Sequence, residues 1–344
     1  MRENILSACA VVASLWAPAA LAQPTFTSQP IVIDKNANVQ ATSINDLGAY
    51  TANVFGADGT AVAGVVVNGT TITKIPHLYP DGAASVGEAI DNHGNVLGYE
   101  TVGLFAVPHM FLIRGGKLDR DYNLVLVGSF GGEPVQPNPI GFADGRLIFY
   151  TEVISFSAPT DPLYGLPHHL YHTPVYDQFQ TARSVNSSGV VAGNDYALAG
   201  NHTVFVGRYP NFTQLLPPGA VSAGGGYVND HNEVAGSYVD ASGKPHGFVY
   251  ANGNYTSFDM PTAAEKVTVT GISNSGRVVG TYVSQSGVQQ YGFLYNGTTV
   301  SSFGDFSGRD NATVALNNNA QMLLAVQNGP AWRSYLVTCT GTGC

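Results

Sequence analysis

Short runs of Val, Ile, Leu, Tyr, Phe and Thr alternate along the chain with clusters of Asn, Asp, Ser and Gly, the composition of strands joined by turns. The pattern is clearest from Val267 to Phe306, where strands are predicted at about 267–273, 277–283, 290–295 and 298–303. Asn274-Ser275-Gly276 joins the first pair and Asn296-Gly297 the last, and both use residue types that tolerate positive φ in tight hairpins. The unit is therefore predicted to be an antiparallel four-stranded meander.

Its first turn recurs. An apolar or small residue followed by Asn, Asp or Ser positions and then usually Gly begins at Ile44, Ile90, Gly141, Val185, Val228, Ile272 and Leu316, at intervals of 46, 51, 44, 43, 44 and 44 residues. Four strands in every 40–50 residues is the signature of a β-propeller. Seven turns predict an all-β fold of seven four-stranded antiparallel blades. The last copy shows three strand-like runs before the chain ends, and Pro30–Asp34 precedes the first turn as an orphan strand. This N-terminal segment is expected to complete the last blade and close the ring, which removes the free edges of an open array.

Arg2, the apolar run from Ile5 to Leu21 and the Ala20-Leu21-Ala22 sequence read as a secretory signal peptide over residues 1–22, leaving 23–344 as a single propeller domain. The expected location is extracellular or periplasmic. No other run is long enough for a membrane span. Cys9 leaves with the signal, so the mature chain holds Cys339 and Cys344, which are expected to form a small terminal disulfide in an oxidising compartment. Charged residues are only 11% of the chain, and the net charge of −9 argues against nucleic acid and anionic membrane as partners. The expected oligomeric state is a monomer.

The chain resembles the bacterial extracellular HAF-repeat family through Gly271-Ile272-Ser273-Asn274-Ser275-Gly276-Arg277-Val278-Val279-Gly280, with Tyr291-Gly292-Phe293 in the HAF position. His246-Gly247-Phe248, His109-Met110-Phe111 and His169-Leu170-Tyr171 are further copies. The resemblance covers about residues 41–335. It implies secretion and repeat architecture and brings no catalytic residues.

Candidate chemistry is sparse. His109, His169 and His246 share one motif position, which points to a structural role in satisfying backbone or loop groups. His168 and His172 share a face on a strand, and with Asp161 or Glu152 they form a candidate divalent-metal site. No cofactor is otherwise expected. Just before the turns on the innermost strands stand Thr42, Glu88, Arg183, Tyr227, Thr270 and Thr313, of which only Glu88 and Arg183 are charged. They suit a polar ligand, general-base chemistry at Glu88, or a buried ion pair. The rim carrying 155–169 and 259–266 is expected to hold any ligand face, with His77, Tyr79, Asp81, Tyr164, His168 and Arg309 as ligand-binding candidates.

Two function classes follow. The first is a non-catalytic secreted propeller that binds a protein, a glycan or a small molecule. The second is a carbohydrate-active enzyme, a polysaccharide lyase or glycoside hydrolase, using Glu88, Arg183 and Tyr227, with His168 or His172, at the channel mouth.

Overall fold

The computed structural model describes residues 24–79, 82–102, 107–122, 137–143, 146–151, 178–197, 202–208, 211–287, 289–309 and 311–344. Every regular element among them is a β-strand. Strand β1 is Thr25–Pro30. Unit 1 comprises β2 (Val39–Ile44), β3 (Tyr50–Phe55), β4 (Ala61–Asn68) and β5 (Thr71–Lys74). Unit 2 comprises β6 (Val86–Ile90), β7 (Val96–Val102), β8 (Val107–Arg114) and β9 (Lys117–Tyr122). Unit 3 contributes β10 (Pro137–Ala143) and β11 (Arg146–Thr151). Unit 4 comprises β12 (Gln178–Val185), β13 (Val191–Ala197), β14 (His202–Arg208) and β15 (Asn211–Leu215). Unit 5 comprises β16 (Ala220–Val228), β17 (Val234–Asp240), β18 (Pro245–Ala251) and β19 (Asn254–Phe258). Unit 6 comprises β20 (Ala264–Ile272), β21 (Val278–Ser284), β22 (Gln290–Tyr295) and β23 (Val300–Phe303), and unit 7 comprises β24 (Asn311–Leu316), β25 (Gln321–Asn328) and β26 (Ala331–Thr340).

Among the described residues six sheets are four-stranded and antiparallel, rather than the seven expected. Unit 3 shows a two-stranded sheet, β10–β11, and residues 152–177 lie outside the described residues. Its inner strand carries Pro137 and Pro139, which lack the N–H donors a ladder needs, and its turn has Phe142 where other units have Asn, Asp or Ser.

The last sheet runs β1-β26-β25-β24, so an N-terminal strand does complete unit 7, but not the expected one. Thr25 to Pro30 pair with Thr340 to Tyr335. Beyond them Ile31 donates one more backbone bond to Ser334 O at 2.8 Å, and Ile33 turns back onto Asn36. The apolar residues chosen as the strand instead fill core: Ile31 and Ile33 are buried with Val39, Val65 and Leu323, between the last sheet and the first. The polar Thr25–Pro30 segment takes the exposed edge, where no apolar side chains are required.

The repeat's sequence is explained by packing between sheets. Phe111, Phe248 and Phe293 are fully buried, each opposite a glycine of the preceding strand: Gly98, Gly236 and Gly280. A Cβ on Gly236 would stand 2.7 Å from the Phe248 ring and from Gly224 O, so the ring occupies the space that glycine leaves. Emptying such a site by Phe→Ala costs about 3–5 kcal/mol. The core is divided into clusters lying between consecutive sheets, such as Val204, Ala223, Val234 and Phe248 between units 4 and 5, and Val279, Leu294, Val314 and Met322 between units 6 and 7. At the chain's end Cys339 and Cys344 are disulfide-bonded with Cα atoms 5.6 Å apart, and Asn296 Nδ2 donates to Gly343 O at 2.9 Å.

Candidate functional site

The first strand of each sheet is innermost and faces its counterparts. In five four-stranded sheets it carries an extra residue opposite its partner strand two places before the turn, a β-bulge, which re-aims a side chain; β16 and β20 carry a second, at Val221 and Glu265. The extra residues are Thr42, Glu88, Arg183, Gly226 and Thr270, whereas β24 runs against β25 without a shift. Two of the five are tied to the neighbouring sheet. Thr42 Oγ1 donates to Gly87 O at 2.8 Å, and Thr270 Oγ1 to Val314 O at 2.6 Å.

Glu88 and Arg183 differ. Among the described residues neither takes part in a hydrogen bond or an ion pair, so the two do not form the internal ion pair that the sequence allowed. Glu88 is half-buried, and burial pushes its carboxyl pKa up to about 7. Burial likewise raises the phenol of Tyr99, helped by the charge of Glu88. Arg183 is exposed on the first strand of its sheet. Buried Glu100 shows the contrast. Burial raises its pKa, but donation from Ser85 Oγ at 2.5 Å and Leu78 N at 2.9 Å, with His77 Nδ1 at 3.2 Å, outweighs that and holds the carboxyl below its ordinary range.

Two residues beyond the bulges the turns of six units meet around one polar cavity of about 190 Å³, running from Asn45 and Asp46 round to Asn317 and Asn318. Each turn Asn has two jobs. Asn45 Oδ1 accepts from Leu47 and Ala49 N–H, which closes its own turn, while Asn45 Nδ2 donates to Asp91 O of the next unit at 2.8 Å. Asn186 donates likewise to Asn229 O, Asn229 to Ser273 O, and Asn317 to Asn45 O, each at 2.9 Å. The next residues form a second belt. Ser187 N–H donates to Asp230 Oδ1, Asp230 N–H to Asn274 Oδ1, Asn274 N–H to Asn318 Oδ1, and Asn318 N–H to Asp46 Oδ1. Burial raises the Asp230 carboxyl, yet the Ser187 and Asn274 donors keep it below the ordinary range. The belt is thus a polar structure whose amides and carboxylates already hold one another. Sequence reasoning took these turns for local chemistry alone, because the second partner of each Asn comes from another unit.

The remaining candidates are dispersed. Tyr227 stands one place past the bulge residue Gly226 and packs, half-buried, on the cluster between units 5 and 6. Thr313 is exposed on β24. His77 is exposed beside Glu100, Tyr79 is half-buried on the same loop, and Arg309 is exposed on the loop after β23. Asp81, Tyr164, His168, His169 and His172 lie outside the described residues, as does the 155–169 part of the expected rim. Among the described residues no three His, Cys, Asp or Glu are grouped to hold a metal, and no helix is long and apolar enough to cross a membrane. His246 bridges two loops within its unit. Its Nδ1 lies 2.6 Å from Asp259 and its Nε2 3.2 Å from Asp240, Lys244 Nζ donates to Asp259 at 2.6 Å, and the ring stacks on Tyr238 at 4.7 Å. The β17–β18 loop and the inter-unit loop therefore share a rim, as antiparallel connectivity requires.

No family model matches the chain, and no curated protein matches it in sequence. Solved structures do. A structure from a study of two prolyl endopeptidases aligns at TM-score 0.50 and 14% identity over 88% of this chain and 45% of that one, so the chain spans less than half of that protein. A chain of the mitotic checkpoint complex aligns at TM-score 0.47 and 12% identity, covering 97% and 98% of the two chains. YCF48 from Cyanidioschyzon merolae aligns at TM-score 0.47 and 9% identity, covering 90% and 98%. The structural neighbours are β-propellers. At these identities the likeness speaks for the fold alone.

Proposed function

We propose that the seven units form one closed β-propeller, with β1 completing the last blade, and that the protein is secreted and works by binding, holding its ligand in the axial channel at the level of Glu88 and Arg183. The grounds for secretion are the signal-like first 22 residues and the likeness to HAF-repeat proteins. One observation carries the binding site. Where Asp91, Glu100 and Asp230 each accept hydrogen bonds, the half-buried Glu88 carboxyl has no hydrogen-bond or ion-pair partner among the described residues. A fold that satisfies its other polar groups so fully keeps a strained carboxyl where something else is to meet it.

The same carboxyl supports a second reading, the glycan lyase or hydrolase, because a group titrating near neutrality suits general acid or base work. A glycan array and a small-molecule thermal-shift panel, run on the parent protein and on Glu88→Gln and Arg183→Ala, test both. Hits lost in the channel variants support the channel. Hits that survive them and vanish in Lys244→Ala or Arg309→Ala would move the site to the outer rim, and glycan cleavage abolished by Glu88→Gln would favour the enzyme.

A further inference from the structure

In unit 5, His246 sits between two charged loops, one running from Asp240 to Lys244 after β17 and the other beginning at Asp259 after β19. Its side chain is only 12% exposed, and the Tyr238 ring covers one face at 4.7 Å with 18° between the planes. Each ring nitrogen meets a carboxylate: Nδ1 lies 2.6 Å from Asp259 Oδ1 and Nε2 3.2 Å from Asp240 Oδ2. A neutral imidazole carries one N–H, so it can donate to one carboxylate while it turns a lone pair on the other; the imidazolium donates to both. Lys244 Nζ donates to Asp259 Oδ2 at 2.6 Å, and Asp240 Oδ1 accepts from the Ser242 and Lys244 N–H groups, which closes its own loop. Two carboxylates against one lysine leave one negative charge over, and a proton on His246 cancels it.

The groups around the ring keep their charge across the neutral range. The Ser242 hydroxyl, with the Lys244 N–H and His246, holds Asp240 far below the ordinary carboxylate range. Burial raises Asp259, but donation from Lys244 and His246 outweighs it and leaves the carboxyl low, while Asp259 in turn raises Lys244. The Tyr238 hydroxyl donates to Ser257 Oγ, and on β20 Glu265 and Lys266 are exposed, with Glu265 lying toward Gly287 of unit 6. The imidazole is therefore the group in this cluster that changes charge between pH 5 and pH 8. Unit 6 carries an uncharged version of the same place. Tyr291 stands opposite Tyr282 as His246 stands opposite Tyr238, the two tyrosine rings stack at 5.3 Å, and Ser284 replaces Asp240. The turns match: Gly243 N–H donates to Asp240 O at 3.0 Å, and Gly287 N–H to Ser284 O at 2.8 Å.

We propose that His246 is a pH-sensitive clasp, which holds the β17–β18 loop to the loop after β19 while the imidazole is protonated and releases it when the proton is lost. The shorter contact keeps its hydrogen: Nδ1–H stays on Asp259, and Nε2 gives its proton to solvent and sets a lone pair against Asp240 Oδ2. The end that opens is thus 240–244. With Asp240 and Asp259 side chains 30% and 53% exposed, the contacts add little to global stability, so the release is a local opening of the loop rather than unfolding.

Amide–solvent exchange of the full chain, measured by NMR and divided by the intrinsic rate at each pH, reads the two turns side by side. Gly243 should be at least about fivefold better protected at pH 5 than at pH 8, while Gly287 changes by less than about twofold. His246→Tyr, which puts the unit 6 residue into unit 5, should remove the difference at Gly243. Nitrogen-15 shifts of the His246 ring in the parent should show both nitrogens protonated at pH 5 and the Nδ1–H tautomer at pH 8. Equal protection of Gly243 at the two pH values, an equal step at Gly287, or a step that persists in His246→Tyr would overturn the clasp. An Nε2–H tautomer at pH 8 would overturn the direction of opening, because Asp259 would then be the contact given up.

Discussion

In the turn belt, Asn317 makes four hydrogen bonds with one amide: its Oδ1 accepts from Asn319 and Gln321 N–H, and its Nδ2 donates to Asn45 O and Gln321 Oε1. On β6, three residues before the turn residue Asp91, the Glu88 carboxyl makes none among the described residues. Both regions are built from the same innermost strands, both are polar, and both repeat with the unit. What separates them is whether the neighbouring unit supplies a partner. Where it does, the polar group is part of the scaffold; where it does not, the group stands outside it, and the protein is less stable for keeping it.

The most damaging change should fall in the belt. Asn317→Ala leaves the buried carbonyl of Asn45 and the part-buried N–H groups of Asn319 and Gln321 without their partners, and each such orphan costs about 1–3 kcal/mol, least where water reaches it. Urea unfolding should show a loss of about 4 kcal/mol. A loss below about 1 kcal/mol would mean that water serves the turn as well as Asn317 does, and the belt would no longer count as scaffold.

Glu88 comes next and carries a pH signature. Its carboxyl is raised from 4.5 to about 7 in the folded protein, so the folded state binds the proton more tightly than the unfolded chain does. Its neutral form is tolerated below about pH 4.5. Stability then falls as pH rises from there to about 7, by on the order of 3 kcal/mol once the carboxylate is fully charged. Glu88→Gln should remove that fall, so the variant should match the parent at pH 5 and exceed it at pH 8. Parallel stability curves for the two proteins would show that the carboxyl has a partner or ample water, and the contrast with the belt would vanish.

Much of this architecture was readable in the sequence, for identifiable reasons. The Asn-rich turns are local features of one unit, so their spacing alone located 44–48, 90–94 and their counterparts. Glu88 and Arg183 stand out because they are the only charged residues among those just before the turns of the first strands. The bulges were not readable, since an extra residue shows only against its partner strand. For that reason Tyr227 was grouped with Glu88 although Gly226 is the bulged residue. The closing strand was misplaced by five residues because apolar content was taken as the mark of a strand, whereas an exposed edge strand such as Thr25–Pro30 owes its place to backbone pairing with β26.

The smallest expected effect is also the sharpest test of how the belt works. Ser273 stands where units 1, 4, 5 and 7 have Asn, and it breaks the belt at one link. Its carbonyl still accepts from Asn229 Nδ2, and its Oγ accepts from Arg277 N–H at 3.2 Å, but it has no amide to donate onward to Asn317 O. Ser273→Asn supplies that donor and a better-placed acceptor for its own turn. One net buried hydrogen bond contributes about 1 kcal/mol, so the variant should be more stable than the parent by about that amount. The gain should disappear in the Asn317→Ala background if the intact unit 7 turn is what receives the new amide, and the two changes should then be non-additive in a double-mutant cycle. If Ser273→Asn instead destabilises the protein, or stabilises it equally in both backgrounds, the amide is acting only within its own turn, and the unit-to-unit donor would not be the feature that makes Asn recur at this position.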